Sequence, residues 1–207
     1  MIDQLAEIAG LATVSRETFE KLERYSGLLR DEAGRQNLVS RSTLDELWNR
    51  HILDSAQLIR FAPTLGASWV DIGAGAGLPG IVLALLTEGP VLLIEPRRLR
   101  AEFLDRALTE LGLTERVSVA SSRVERVTGH FDVITARAVA ALDRLLRIST
   151  HLSTRKSLWV LPKGRSAQSE LAEARRNWHC DAESVPSLTD PDAEILLLRN
   201  VRAKGGR

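Results

Sequence analysis

A chain of 207 residues, 44% of them hydrophobic, is long enough for one globular domain with a sizeable core. Its apolar runs fall short of the roughly 18 residues of a membrane helix, and the first residues lack the basic start and apolar block of a signal peptide. The single cysteine, Cys180, excludes an intramolecular disulfide, so the cytoplasm is the expected compartment. A net charge of +1 argues neither for nor against nucleic acid.

Residues 1–65 are predicted to form an N-terminal helical extension that packs on the core of the domain. Ser15 is a suitable N-cap for a helix whose apolar residues recur three and four positions apart. The sequence TLDE at 43–46 fits a capping box and predicts a second helix, which the stretch FAPTLG at 61–66 ends. From residue 66 onward the pattern changes.

In residues 66–207, short apolar runs alternate with helical stretches. The predicted strands are SWVDI, VLLIE, RVSVA, FDVIT and SLWVL, separated by helices near 79–88, 97–112 and 140–150. A polar helix near 166–177 precedes two strand-like runs, around 179–185 and 194–201, with no helix between them. This order indicates a parallel sheet with right-handed crossovers and an antiparallel edge hairpin. The predicted fold class is α/β, a Rossmann-like, mostly parallel seven-stranded sheet of the class I type that binds S-adenosylmethionine (SAM).

The stretch DIGAGAGLPG at 71–80 follows the first predicted strand and fits two cofactor patterns at once. A dinucleotide-type G-x-G-x-x-G begins at Gly75, and an acidic-x-G-x-G-x-G pattern of SAM methyltransferases overlaps it. The second pattern consists of Asp71, Gly73, Gly75 and Gly77. Glu95, about twenty residues further on, suits the ribose hydroxyls of either cofactor. The acidic residue before the glycines, the short remaining chain and the edge hairpin favour SAM over NAD and predict a SAM-dependent methyltransferase domain at 66–207.

The end of the fourth predicted strand bears on the methyl acceptor. It carries Arg137 where amino-methylating enzymes have an Asp/Asn-Pro-Pro-aromatic stretch, and Cys180 lies too far away for a cytosine-C5 nucleophile. These observations favour methyl acceptors whose reaction needs little acid–base catalysis. Guanine N7 is one, because its lone pair needs mainly to be aligned with the methyl group.

The assembled motifs closely resemble the RsmG (GidB) family, bacterial 16S ribosomal RNA guanine-N7 methyltransferases. The resemblance runs from about residue 19 to residue 201. It rests on NL at 37–38, RHILDS at 50–55, DIGAGAGLPGI at 71–81, SRVE at 122–125, ARA at 136–138 and KG at 163–164. The chain departs from the family pattern at Val39, at Ala136 and at Leu99, so that only Arg100 inherits a role from the usual Lys-Arg pair.

The resemblance implies specific roles for individual residues. Gly73 and Leu78 look like SAM-contacting loop residues, Val124 and Glu125 like the pair that meets the adenine, and Arg137 like a residue reaching the SAM or substrate pocket. The implied substrate is a guanine of 16S rRNA in the 30S subunit, at position 527 in the usual rRNA numbering. Loss of the methyl group would then confer low-level streptomycin resistance.

Other polar residues complete the predicted site. Basic side chains near the carboxyl ends of strands are expected to contact RNA phosphates, and these are Arg100, Arg123, Lys163 and Arg165. Arg137 and Lys163 are the candidates for the acceptor side, and no general base is assigned. Asn37, His51 and Asp54 are pocket candidates, although the last two also suit a simple hydrogen-bonded pair on a helix. No metal site is expected, because the histidines do not cluster.

Three alternative functions stay open on the sequence. They are a SAM enzyme acting on a small molecule, a nucleotide-binding oxidoreductase and a non-catalytic RNA-binding module. The terminal sequence RNVRAKGGR, rich in arginine and glycine, is expected to be disordered or to act as an electrostatic anchor.

Overall fold

The computed structural model describes residues 1–36, 38 and 46–205, and its centre is a seven-stranded sheet. The strand order is β3-β2-β1-β4-β5-β7-β6. The strands are β1 Trp69–Ile72, β2 Val91–Ile94, β3 Val117–Ala120, β4 Val133–Ala136, β5 Leu158–Lys163, β6 Trp178–Pro186 and β7 Glu194–Ala203. The first five pair in parallel, whereas β7 pairs antiparallel with both β5 and β6. The predicted fold class and its edge hairpin are confirmed.

The strand order reverses direction next to β1. The chain moves outward from β1 through β2 to β3, and then returns so that β4 lies on the other side of β1. Trp69 is consequently paired with Val91 on one side and with Val133 on the other. A crevice outside the carboxyl ends of the strands at such a reversal is where open α/β sheets bind ligands.

Helices cover both faces of the sheet. They are α1 Ile2–Ala9, α2 Arg16–Ala33, α3 Asp54–Ala56, α4 Gly80–Leu86, α5 Arg98–Leu111, α6 Leu142–Ser149 and α7 Ala167–Asn177. Ser15 caps α2 as predicted, because its side chain accepts a hydrogen bond from the Thr18 N–H at 3.0 Å. Pro79 directly precedes α4.

The second predicted helix is irregular in its described part. A π-helical turn, Trp48–Leu53, leads into α3, and a 3₁₀ turn, Gln57–Phe61, ends the segment. We call this segment, residues 48–61, the composite helix. The predicted capping box at 43–46 lies largely outside the described residues. π-helical turns are frequent at functional sites, and this one carries His51.

Two hydrophobic clusters lie on opposite faces of the sheet. One contains Trp69 of β1 and Leu83 of α4 together with Leu5 of α1 and Leu22 of α2. The other packs α6 and α7 against the opposite face around the buried Trp159. The N-terminal helices thus share their core with the sheet, and no described helix is long and apolar enough to cross a membrane.

The end of the chain differs from its prediction. The strand-like run predicted around 194–201 overlaps the tail, residues 199–207, that was expected to be disordered or to act as an electrostatic anchor, and β7 continues as far as Ala203. The Lys204 N–H donates to the Asn177 carbonyl at 2.7 Å, which joins the strand end to the end of α7. Pairing with β6 supplies backbone hydrogen bonds that the composition of this stretch does not reveal.

Candidate active site at the carboxyl ends of the strands

The glycine loop, residues 73–79, joins β1 to α4. Gly73 and Gly77 have φ values of 67° and 88°, in the left-handed region. A Cβ at position 73 would lie 2.7 Å from Val139 Cγ2, and one at position 77 would lie 2.6 Å from Ile81 Cδ1. Both positions therefore strongly favour glycine.

Two buried carboxylates hold the backbone of this loop. Asp71 Oδ2 accepts the Gly80 N–H at 2.8 Å, and Glu95 Oε2 accepts the Gly75 N–H at 2.9 Å. Glu95 Oε1 also accepts the Arg97 N–H at 2.8 Å. Burial raises the pKa of Asp71 to about 7, since desolvation disfavours the charged carboxylate. The predicted contacts of both carboxylates with a cofactor stay predictions; their described partners are backbone N–H groups.

The glycine loop also suits a ligand. Asp71 Oδ1 is buried and has no hydrogen-bond partner among the described residues, and such atoms are rare unless something else satisfies them. The left-handed glycines leave the backbone without a Cβ at the carboxyl end of β1. A cofactor with polar groups fits both features.

Tyr25 is a residue of this region that the sequence analysis missed. Its Oη donates to the Ala76 carbonyl at 2.7 Å from α2, and its ring is fully buried. Burial raises the pKa of Tyr25 well above its ordinary value, so the hydroxyl remains a donor at neutral pH. An N-terminal helix therefore supports the glycine loop directly.

The remaining predicted cofactor residues differ in exposure. Leu78 and Val124 are buried, whereas Glu125 is exposed on a 3₁₀ turn after β3. Arg100, predicted as an RNA contact, lies against the glycine loop: a Cβ on Gly75 would lie 3.6 Å from its Nη1. These positions surround the carboxyl ends of β1 to β3.

A cavity of about 780 Å³ lies beside the glycine loop. Its walls come from the composite helix, from the segment after β4, from the end of β5 and from the β6–β7 loop, residues 187–193. Four predicted site residues line it together: His51, Asp54, Arg137 and Lys163. We call it the acceptor pocket. Asn37, the remaining pocket candidate, lies outside the described residues.

Arg137 has two partners in this pocket. Its Nη1 donates to Asp54 Oδ2 at 3.1 Å, and its Nη2 donates to His51 Nδ1 at 3.0 Å. A guanidinium can only donate, so the Nδ1 atom accepts and the imidazole is neutral. Burial, with the nearby charge of Arg137, lowers the pKa of His51 to about 4, which agrees with that assignment. The predicted pair of His51 and Asp54 is thus a triad with Arg137.

Gln57 and Thr189 fix Asp54 in turn. Thr189 Oγ1 and Gln57 Nε2 each donate to Asp54 Oδ1 at 2.8 Å. Gln57 Oε1 accepts the Leu188 N–H at 2.8 Å, which fastens the β6–β7 loop to the composite helix. Neither residue was predicted from the sequence. The polar side chain of Gln57 inside an apolar helix pattern was the available signal.

Lys163 is engaged with its own neighbours. Its Nζ donates to Glu170 Oε2 at 2.8 Å and to the Ala140 carbonyl at 3.4 Å. The same carboxylate oxygen accepts the Leu142 N–H at 2.9 Å at the start of α6. Lys163 therefore holds the segment after β4, and its direct contact with an acceptor stays a prediction.

Arg123 and Arg165, the other predicted RNA contacts, are both exposed and do not line the acceptor pocket. Arg165 forms an ion pair of 2.5 Å with Asp192 of the β6–β7 loop. Within the described part of the chain, no group of three or more His, Cys, Asp or Glu side chains could hold a metal ion.

Known proteins resemble this chain in sequence and in fold. A family model described as "GidB: rRNA small subunit methyltransferase G" matches residues 18–196. The "Ribosomal RNA small subunit methyltransferase G" of Zymomonas mobilis is 44% identical over 200 residues, covering 92% of this chain and 90% of that protein.

Solved structures share the fold at low identity. A SAM-dependent methyltransferase from Aquifex aeolicus aligns with a TM-score of 0.60 and 13% identity, over 74% of this chain and 92% of that one. TYW2 of P. horikoshii, solved with MeSAdo, aligns with a TM-score of 0.57 and 14% identity, over 74% of this chain and 62% of that chain. The family match and the relative in Z. mobilis both span most of the sequence, so this chain belongs to the rRNA small subunit methyltransferase G (GidB) family.

Proposed function

We propose that this chain transfers the methyl group of SAM to N7 of a guanine in 16S rRNA of the small ribosomal subunit, at position 527 in the usual numbering. Membership of the family supports an rRNA methyltransferase. One observation carries the choice of N7: the carboxylate and the imidazole of the triad in the acceptor pocket already accept hydrogen bonds from Arg137. An acceptor atom without a proton to lose suits such a pocket.

SAM would be held at the carboxyl ends of β1, β2 and β3. The residues for this role are Asp71, Gly73, Gly75, Gly77, Leu78, Glu95, Val124 and Glu125, with Arg137 between cofactor and acceptor. When bound, SAM supplies a methyl group on a positively charged sulfur. The glycine loop then has to present that group toward the acceptor pocket, and the carboxylates of Asp71 and Glu95 keep its backbone in place.

The reaction at N7 needs orientation more than proton transfer. The N7 lone pair would form the new bond to the methyl carbon as the carbon–sulfur bond breaks. The electron pair of the broken bond would stay on sulfur. The positive charge passes to the guanine, and no proton moves in this step. The N7 and O6 atoms of guanine are both acceptors. Arg137 has N–H groups beyond the two that it gives to Asp54 and His51, because a guanidinium carries five. It is the side chain expected to orient the base.

Methylation of small subunits tests the proposal. Purified 30S subunits and free 16S rRNA are incubated with radiolabelled SAM, and N7-methylguanosine is located by chemical cleavage at the modified base. We expect up to one methyl group per RNA, at one guanine, and none when that guanine is replaced by adenine. Label on another atom, or turnover without RNA, would contradict the proposal. A strain lacking the gene is expected to show low-level streptomycin resistance.

A further inference from the structure

The start of β6 and the end of β7 bring two arginines to one face of the sheet. Asp181 is paired with Arg199 and His179 with Arg202, with an irregularity between the two pairs. Paired residues of antiparallel strands share a face, and so do residues two apart in one strand, such as His179 and Asp181. Arg199 and Arg202 therefore lie on the same face, although they are three residues apart.

A β-bulge explains this arrangement. Asn200, between the two arginines, has a φ of 52°, in the left-handed region. An extra residue at this point of β7 restores Arg202 to the face of Arg199, which a regular strand would not do. The bulge thus gathers positive charge on one surface.

This surface is exposed and basic. Arg155, from the turn before β5, lines a concavity of about 400 Å³ together with His179 and Arg202. Arg155, Arg199 and Arg202 are all exposed, and none forms an ion pair with a carboxylate of the described chain. The carboxylate among the lining residues, Asp181, accepts a hydrogen bond from Asn200. We call Arg155, His179, Arg199 and Arg202 the hairpin surface.

Arginines on α2 provide a contrast. Arg16 pairs with Glu20 at 2.9 Å, and Arg24 pairs with Glu110 at 2.8 Å. Arg16 and Arg24 each form an ion pair within the chain, whereas the three arginines of the hairpin surface form none among the described residues, and the nearby Asp181 offsets only part of their charge. With a net charge of only +1 for the whole chain, local groups of this kind determine where an anionic partner is attracted.

The hairpin surface lies far from the acceptor pocket. Glu194, at the start of β7, is paired with Lys163 of the pocket. Arg202 lies eight residues further along the strand, on the order of 25 Å at about 3.3 Å per residue. A ligand that touches both sites must therefore be large, and arginine binds phosphate groups well because its donors match their oxygens.

We propose that the hairpin surface binds phosphates of the substrate RNA at a distance from the methylated guanine. This inference rests on the proposed function and adds a second contact to it. The contact raises the affinity for RNA without taking part in methyl transfer, because it does not reach the acceptor pocket.

The double variant Arg199→Gln/Arg202→Gln tests this contact. In the methylation of 30S subunits, we expect KM to rise about tenfold at about 0.1 M salt, with kcat and the Kd for SAM unchanged. The slope of log KM against log salt should decrease by about 1.5, because each phosphate contact contributes roughly 0.7 to 0.9. Arg199→Lys/Arg202→Lys should retain most of that slope.

A matched control separates this surface from overall charge. Arg16→Gln/Arg24→Gln removes the same charge from exposed positions of α2 and should leave KM within about twofold of the wild type. Equal effects of the two double variants would overturn the inference, as would an unchanged KM and salt slope in Arg199→Gln/Arg202→Gln. If the unaltered protein methylates no RNA, the proposed function itself fails, and that outcome is distinct from a methylating protein whose hairpin surface can be neutralised without effect.

Discussion

The glycine loop and the acceptor pocket adjoin each other but are built in different ways. The loop is shaped by backbone groups whose partners are near in sequence: Gly80 and Asp71 are 9 residues apart, and Gly75 and Glu95 are 20 apart. The pocket is made of side chains from distant segments. Arg137 and Asp54 are 83 residues apart, and Thr189 and Asp54 are 135 apart.

The difference indicates how such an enzyme keeps its cofactor while its acceptor varies. A local loop after one strand can be preserved by a few glycines and two carboxylates. The acceptor side is assembled from the composite helix and from the segments after β4, β5 and β6, which come from distant parts of the chain. This arrangement agrees with the general rule that function resides in sites placed on a common fold.

Arg137→Met should cause the largest change and tests the role of Arg137 on the acceptor side. We expect the rate of RNA methylation to fall on the order of 100-fold, because misplacing the base by about 1 Å can cost that much. The Kd for SAM, measured by calorimetry, should stay within about twofold. Arg144→Met, at an exposed position of α6, should have little effect on either quantity. Parallel loss of SAM binding in Arg137→Met would show that the two regions are not separable.

Gly77→Ala tests the glycine loop alone. A left-handed alanine costs about 1–2 kcal/mol, and its Cβ would also crowd Ile81, so we expect SAM affinity to fall about thirtyfold. Gly112→Ala is the matched control, because Gly112 has a φ of 67° but no atom within 4 Å of a built Cβ. It should lower the free energy of unfolding by about 1 kcal/mol and leave SAM binding unchanged. Equal SAM affinities for the two variants would refute a role for loop crowding.

Thr189→Val tests the distant support of the acceptor pocket. The change keeps the shape of the side chain and removes the hydroxyl that donates to Asp54. Since a hydrogen bond to a charged group contributes about 1.5–3 kcal/mol, we expect kcat/KM for RNA to fall about tenfold, with SAM binding retained. Thr189→Ser restores a donor and should recover most of the activity. Failure of serine to do better than valine would argue against the hydrogen bond.

Tyr25→Phe tests whether α2 supports the glycine loop. Loss of the Oη donor leaves the Ala76 carbonyl buried without this partner, at a cost of about 1–2 kcal/mol. We expect SAM affinity to fall about fivefold and the thermal midpoint to decrease. Ser26→Ala removes a neighbouring buried hydroxyl that bonds within α2, to the Leu22 carbonyl, and should leave SAM affinity unchanged. A Tyr25→Phe protein with wild-type SAM affinity would contradict the support from α2.

The smallest expected effect is a change in the titration of His51. NMR of the imidazole should give a pKa of about 4 in the wild type, and Arg137→Met should raise it, because the guanidinium charge opposes protonation. Asp54→Asn should lower the pKa of His51 below its wild-type value, because the negative charge of Asp54 favours protonation. Since the unfolded chain takes up the proton near 6.5, His51 makes stability decrease as the pH falls from about 6.5 toward 4. A midpoint near 6.5 in the wild type would contradict the triad.

Local patterns in the sequence predict much of this molecule. Apolar runs and helical spacing identify all seven strands, and DIGAGAGLPG identifies the loop, because these features depend on neighbours in the chain. The extension of β7 beyond the predicted run 194–201, as far as Ala203, was missed, since pairing with β6 and not composition stabilises it. Gln57 and Thr189 were missed for the same reason: their partners lie about 130 residues away. Arg137 was found only through its position after a strand and through the family resemblance.

Val139 has a consequence for how the two substrates are bound. It lies against Gly73 of the glycine loop, and it follows Arg137 by two residues along the segment after β4. We therefore expect a cofactor that displaces Val139 to shift the guanidinium of Arg137 as well. Binding of SAM and binding of RNA would then be coupled, and such coupling is reciprocal: SAM would raise the affinity for RNA by the same factor by which RNA raises the affinity for SAM.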